Sequence, residues 1–245
     1  MYNFGYDWPW TYGHLVPAAI FAMAGLLAWK LKWRRWLLAL FGVLTLWSLV
    51  GLAIVQGPFR INRPLALPTQ TFLPSGGRVL DAGAGSGRSA LMVLLERPGS
   101  KVVALDLFNA PYIHDSMGLL RENARIAGVE QRLEAQTGDM RAIPQPDASF
   151  DGAVSAYALD HLRYDDAGKA AGEVARILKP KGEFLFLTMN RDIWMRVAYP
   201  LFFAHTYYGR ATVAKRWREQ FAKAGLDVVE EGTAPGTLYI LCRKR

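Results

Sequence analysis

Cysteine is almost missing from this chain of 245 residues: one, Cys242, stands near the end. A single thiol excludes an internal disulfide framework and any multi-cysteine metal site. It also excludes covalent attack on a pyrimidine ring by a cysteine near a cofactor loop, and its place in the apolar run Leu238–Cys242 marks it as a packed strand thiol. No internal repeat and no low-complexity tail occur. No Asn/Asp-Pro-Pro-Tyr tetrad is present, which argues against methyl chemistry on nucleobase amino groups. No Asp-Asn pair ends a strand-like run to hold a magnesium ion, so no metal site is expected.

Charge is absent from two further places, and there the absence is informative. Leu15–Trp29 and Leu37–Val55 carry no charged residue, although basic residues outnumber acidic ones 29 to 21 overall, a formal charge of +8. A helix needs about 20 mostly apolar residues to cross a bilayer core. With their flanks both stretches reach that length, which predicts a transmembrane or membrane-inserted helical hairpin over residues 1–57. Trp8, Trp10 and Tyr12 at one end, and Trp29, Trp33 and Trp36 at the other, have the character of interfacial belts. The loop between the two stretches holds Lys30, Lys32, Arg34 and Arg35, a bias that ordinarily faces the cytoplasm. Pro58, Pro64, Pro68 and Pro74, with Gly76 and Gly77, make 58–77 a linker instead of a helix.

From residue 78 apolar runs alternate with helical patterns. Strands are predicted at Arg78–Asp81, Lys101–Asp106, Arg132–Thr137, Ser149–Ala156, Glu183–Met189, Asp227–Glu231 and Thr237–Arg243. Helices are predicted at Arg88–Glu96, Ile113–Gly128, Asp165–Leu178 and Ala211–Ala224. Alternation of this kind indicates an α/β domain over 78–245 with a mostly parallel sheet covered on both faces. The last two strands have no helix between them and are expected to pair antiparallel.

The most specific motif is Val79-Leu80-Asp81-Ala82-Gly83-Ala84-Gly85-Ser86-Gly87, at a strand-to-helix turn. Glycines there let backbone approach a ligand, and the following helix offers oriented N–H groups. A dinucleotide fingerprint spaces its third glycine one position later, and Asp81 would repel a pyrophosphate. The carboxylate suits a ligand bearing an ammonium and a sulfonium. Asp106, about 20 residues beyond the glycines at the end of the second strand, is placed for two ribose hydroxyls. Asp139, after the third strand, is placed for an adenine amino group.

Segments 79–87 (VLDAGAGSG), 104–106 (ALD), 138–144 (GDM…IP), 149–162 (SFDGAVSAYALDHL) and 173–188 (EVARILKPKGEFLFLT) together resemble the class I S-adenosylmethionine (SAM)-dependent methyltransferase superfamily. Within it they are most similar to the branch of ubiquinone and menaquinone biosynthesis C-methyltransferases and small-molecule and lipid methyltransferases. The resemblance covers about residues 75–245. It implies a Rossmann-like, seven-stranded, mostly parallel sheet and SAM as methyl donor. It also implies that Asp81 and the loop with Gly83, Ala84 and Gly85 hold the methionine portion, that Asp106 binds the ribose, that Leu107 and Met140 enclose the adenine, and that Asp139 takes its amino group.

A general base, where the acceptor is protonated, is expected at the exit of the fourth strand: His161, Tyr157 or Asp160. The stretch Asn190–Arg210 holds Trp194, Tyr199, Phe202, Phe203, His205, Tyr207 and Tyr208, the pattern expected of a cover over the acceptor. Its basic residues are too sparse for a nucleic-acid stacking surface, so nucleic acid is not an expected partner. The sequence thus predicts a membrane-associated methyltransferase for a small-molecule or lipid acceptor, the bilayer as partner and a catalytic domain facing the cytoplasm, where SAM is made. The rivals are a methyltransferase for RNA or protein, and a SAM-binding scaffold without catalysis.

Overall fold

The computed structural model describes residues 1–110, 114–190, 192–200 and 214–245. Seven strands form one sheet: β1 Arg78–Ala82, β2 Lys101–Asp106, β3 Leu133–Thr137, β4 Phe150–Ala156, β5 Leu178–Met189, β6 Leu226–Ala234 and β7 Thr237–Lys244. Their spatial order is β3-β2-β1-β4-β5-β7-β6. The pairs from β3 to β5 are parallel, and β7 runs antiparallel between β5 and β6. The order reverses at β1 and β4, and ligands of open α/β sheets bind at such a switch point, beyond the strand C-termini.

Helices α4 (Arg88–Glu96), α5 (Ser116–Ile126) and α6 (Tyr164–Ile177) follow β1, β2 and β4. α7 (Ile193–Ala198) and α8 (Ala214–Lys223, where the sequence predicted Ala211–Ala224) lie between β5 and β6. The central strands are buried on both faces, as a sheet covered by helices requires. One core, around Phe150, Phe184, Phe186, Trp217 and Phe221, includes the buried Cys242, whose thiol burial pushes up to about 12. The other face packs Val79, Leu91, Val102, Leu120 and Leu185 around Phe4, a residue from the extreme N-terminus.

The apolar N-terminus forms a short helix α1 (Trp8–Tyr12) and a hairpin of α2 (Leu15–Lys30) and α3 (Arg35–Gln56). α3, with 22 residues, is about 33 Å long and is apolar enough to cross a membrane by length and composition. α2, with 16 residues, is about 24 Å long, short of a bilayer core of about 30 Å. The two spans expected from the sequence are therefore one long and one short helix, with Trp8–Tyr12 a separate short helix, α1, ahead of α2.

The stretch after α3 has no helix and lies along the domain. Arg97, buried, donates to the carbonyls of Phe72 (2.8 Å) and Gln70 (2.9 Å). Leu67 and Phe72 enter the core beside Phe4. Thr69 and Thr71 donate to Glu230 on the edge strand β6.

Candidate active site

The β1–α4 turn is built for close approach. Gly83 (φ +84°) and Gly87 (φ +93°) occupy left-handed backbone that favours glycine, and a Cβ on either would strike Ala158 or Leu120. At Gly85 (φ +50°) a Cβ would meet nothing within 4 Å, so the loop carries open space above its middle glycine. Asp106, partly exposed at the end of β2, accepts from Gly85 N (2.9 Å) and Phe108 N (2.7 Å) and ties the loop to the strand end.

Asp81 is completely buried under this loop. Its Oδ2 accepts from Ser89 Oγ (2.7 Å), and its Oδ1 has no hydrogen-bond partner. Burial pushes its carboxyl up to about 7, against the opposing effect of the Ser89 hydrogen bond. A buried orphan carboxylate oxygen is costly alone and fits a cationic ligand group. The open cradle over Gly85 and this oxygen together fit the methionine end of SAM.

Leu107 is exposed beside Asp106, and Met140 lies against Gly83 and the adjoining core. Asp139 is held by Arg141, whose Nη2 lies 2.6 Å from it and whose Nη1 reaches Asp166 (3.1 Å). These hydrogen bonds hold Asp139 below the usual carboxylate range. The predicted cofactor residues thus gather at the C-terminal ends of β1, β2 and β3.

The three candidate bases behave differently from one another. Tyr157 is half-buried, its phenol is raised by desolvation, and its hydroxyl pairs with Thr237 Oγ1 (2.5 Å). Asp160 is buried, which raises its carboxyl. Thr188 donates to its Oδ2 (2.6 Å), while its Oδ1 has no partner. His161 is exposed at the end of the 3₁₀ turn Leu159–His161.

On the acceptor side, α7 and Tyr199 dock on the base of the hairpin. His14 Nε2 lies 2.5 Å from Ala198 O, and Trp47 Nε1 donates to Val197 O (3.1 Å). The Tyr199 ring stacks on Phe59 (6.2 Å) and meets Trp10 edge-on (6.0 Å). Burial pushes its phenol up to about 12. Arg191, Phe202, Phe203, His205, Tyr207, Tyr208 and Arg210 of the expected cover lie outside the described residues.

Sequence reasoning missed the N-terminal segment. Ser86 Oγ, in the glycine loop, donates to Phe4 O (2.8 Å). Asn123 of α5 accepts from Asn3 N (2.9 Å) and donates to Asn3 O (2.7 Å) and Ser86 O (3.1 Å). Arg88, directly after the loop, donates to Tyr6 Oη and to the carbonyls of Phe59, Arg60 and Arg63 at 3.0–3.2 Å. Both ends of the hairpin therefore meet on the residue that opens α4. A lone Asn-Phe at a chain start carries no sequence signal for contacts about 120 residues away.

The sheet order, the glycine turn and the three strand-end aspartates define a class I SAM-dependent methyltransferase fold. Residues 79–182 match the methyltransferase domain family, in a superfamily whose methyl donor is SAM. The chain is 37% identical over 111 residues to a demethylmenaquinone methyltransferase of Thermus thermophilus, covering 45% of this chain and 46% of that protein. It is 33% identical over 121 residues to a ubiquinone biosynthesis O-methyltransferase of Nitrosococcus oceani, covering 48% of this chain and 45% of the relative. The chain thus spans about half the length of the curated relatives it matches. Its fold is similar to that of a SAM-dependent methyltransferase structure from Methanosarcina mazei (TM-score 0.57, 18% identity), covering 74% of this chain and 99% of the other.

Proposed function

We propose that this protein transfers the methyl group of SAM to a small-molecule acceptor held at a membrane, a ring-bearing amphiphile of the kind handled by its quinone-biosynthesis relatives. One observation carries the reading: α7 and Tyr199, which follow β5, pack on an apolar hairpin. α7 and Tyr199 contact Trp10, His14, Trp47 and Phe59, so an acceptor leaving the bilayer along the hairpin arrives at the strand ends. The exposed faces of α2 and α3 carry Ile20, Met23, Leu26, Val43 and Leu46, an apolar surface that lipid covers at no desolvation cost.

When bound, SAM supplies an activated methyl on a sulfonium. The chain's own residues bind and orient. Asp81 takes the ammonium end, the Gly83–Gly87 turn gives its backbone to the methionine portion, and Asp106 takes the ribose hydroxyls. Leu107, Asp139 and Met140 serve the adenine. Holding two reactants in line contributes on the order of 7–11 kcal/mol to such reactions. For a protonated acceptor, His161, exposed at the β4 exit, is the proposed base.

The domain lies on the cytoplasmic side, where SAM is made. Both hairpin ends are pinned to Arg88, so Lys30–Arg35 is the distal tip. The test is incubation of the purified full chain with tritiated SAM and a membrane preparation. Label is expected in the organic extract; label confined to protein or RNA, or none at all, overturns the reading.

A further inference from the structure

Among the residues at the acceptor face, Tyr157 and Asp160 already have hydroxyl partners inside the domain. Tyr6 differs. Its phenol oxygen accepts from Arg88 Nη1 at 3.2 Å, with the guanidinium over its ring at 5.5 Å, and its own hydrogen meets no acceptor among the described residues. A phenol whose lone pair faces a guanidinium directs its O–H elsewhere and strengthens as a donor. The residue is 37% exposed.

Its position is not a free surface. Arg88 follows the glycine loop directly, and the same guanidinium donates to the carbonyl of Phe59, on whose ring Tyr199 stacks. The backbone before it is fixed by Asn123 and Ser86, and Phe4 is buried in the core. Tyr6 thus stands between the residue that closes the glycine loop and the base of the hairpin.

We propose that Tyr6, held by Arg88, forms an acceptor subsite contributed from outside the methyltransferase domain, its hydroxyl donating a hydrogen bond to a phenol, enol or ketone oxygen of the acceptor. The subsite rests on the reading that the acceptor is an oxygen-bearing ring on an apolar tail. One fixed oxygen sets the angle of that ring to the incoming methyl, and small misplacements of this kind cost large factors in rate.

The test uses the full chain in detergent micelles, loaded with S-adenosylhomocysteine, with 4-hexylphenol and hexylbenzene as probes in calorimetric titration. For Tyr6→Phe, affinity for S-adenosylhomocysteine should stay within twofold of the parent and hexylbenzene should bind both proteins alike. 4-Hexylphenol should bind the variant at least fivefold more weakly. Equal affinity for the phenol overturns the subsite, and so does an equal loss for all three ligands, which makes Tyr6 a packing residue. Should the parent transfer no tritium to any membrane fraction while the phenol contrast persists, methyl transfer to an amphiphile falls and the subsite stands.

Discussion

Asp81 combines complete burial, one hydrogen bond and an orphan oxygen, and these have consequences with pH. Its carboxyl is raised from an ordinary 3.8 to about 7. Between those values the folded chain holds a proton that the unfolded chain has lost. This group's contribution to stability therefore falls as pH rises through that window and is constant above it. An ammonium against Asp81 favours the ionised form, so binding of S-adenosylhomocysteine at pH 6 should release close to one proton, and affinity should rise by about tenfold from pH 6 to 8. Calorimetry in two buffers of different ionisation enthalpy measures the proton count. A count of zero at pH 6, or an unchanged count in Asp81→Asn, contradicts this role. Asp106→Ala should weaken the same ligand by about 1.5–3 kcal/mol, the worth of a charged hydrogen-bond acceptor, and equal calorimetric affinity removes Asp106 from the site. These acids were legible in the sequence because each ends a strand beside a glycine turn, a local pattern. Tyr6 and Asn123 were not, since their meaning comes from pairings 82 and 120 residues apart.

At the scale of elements, the strands and helices of 78–245 followed from apolar alternation, and the antiparallel last pair followed from the missing helix between β6 and β7. β5 begins at Leu178 instead of Glu183 because Leu178 pairs with Phe150 before an irregularity that includes Pro180 and Lys181 (φ +64°). α5 begins at Ser116 instead of Ile113 because Asp115 caps it, accepting from Gly118 N. Periodicity places an element; caps and bulges set its ends. The N-terminal segment is the element composition conceals: its first residues belong to the domain although apolar helices follow them. Phe4→Ala should cost about 3–5 kcal/mol of stability, the usual effect of emptying a buried phenylalanine site, measured by denaturant unfolding. A loss below about 1 kcal/mol means that the segment is a surface appendage.

For the whole molecule, residues 3–6 and 59–63 both hold the hairpin to the face that carries the cofactor loop. The sequence left its orientation in conflict, because the basic tip argued for one side and the cofactor for the other. Contacts at Arg88 hold both ends of the hairpin, so the tip with Lys30, Lys32, Arg34 and Arg35 is the part farthest along the chain from both anchors. High salt should leave the full chain in the membrane fraction, since it screens charges and does not weaken apolar insertion. Quantitative release into salt reduces the hairpin to a peripheral patch.

Attachment and chemistry are joined in one measurement. Two vesicle populations of different density are prepared from the same membrane lipid extract, only one of them carrying the protein, and tritiated SAM is added to the mixture. A methyltransferase that takes its acceptor along a membrane-inserted hairpin, as proposed, labels lipid in the population that carries it during the first turnovers. Equal label in both populations contradicts the account, because it shows an acceptor reaching the site through water.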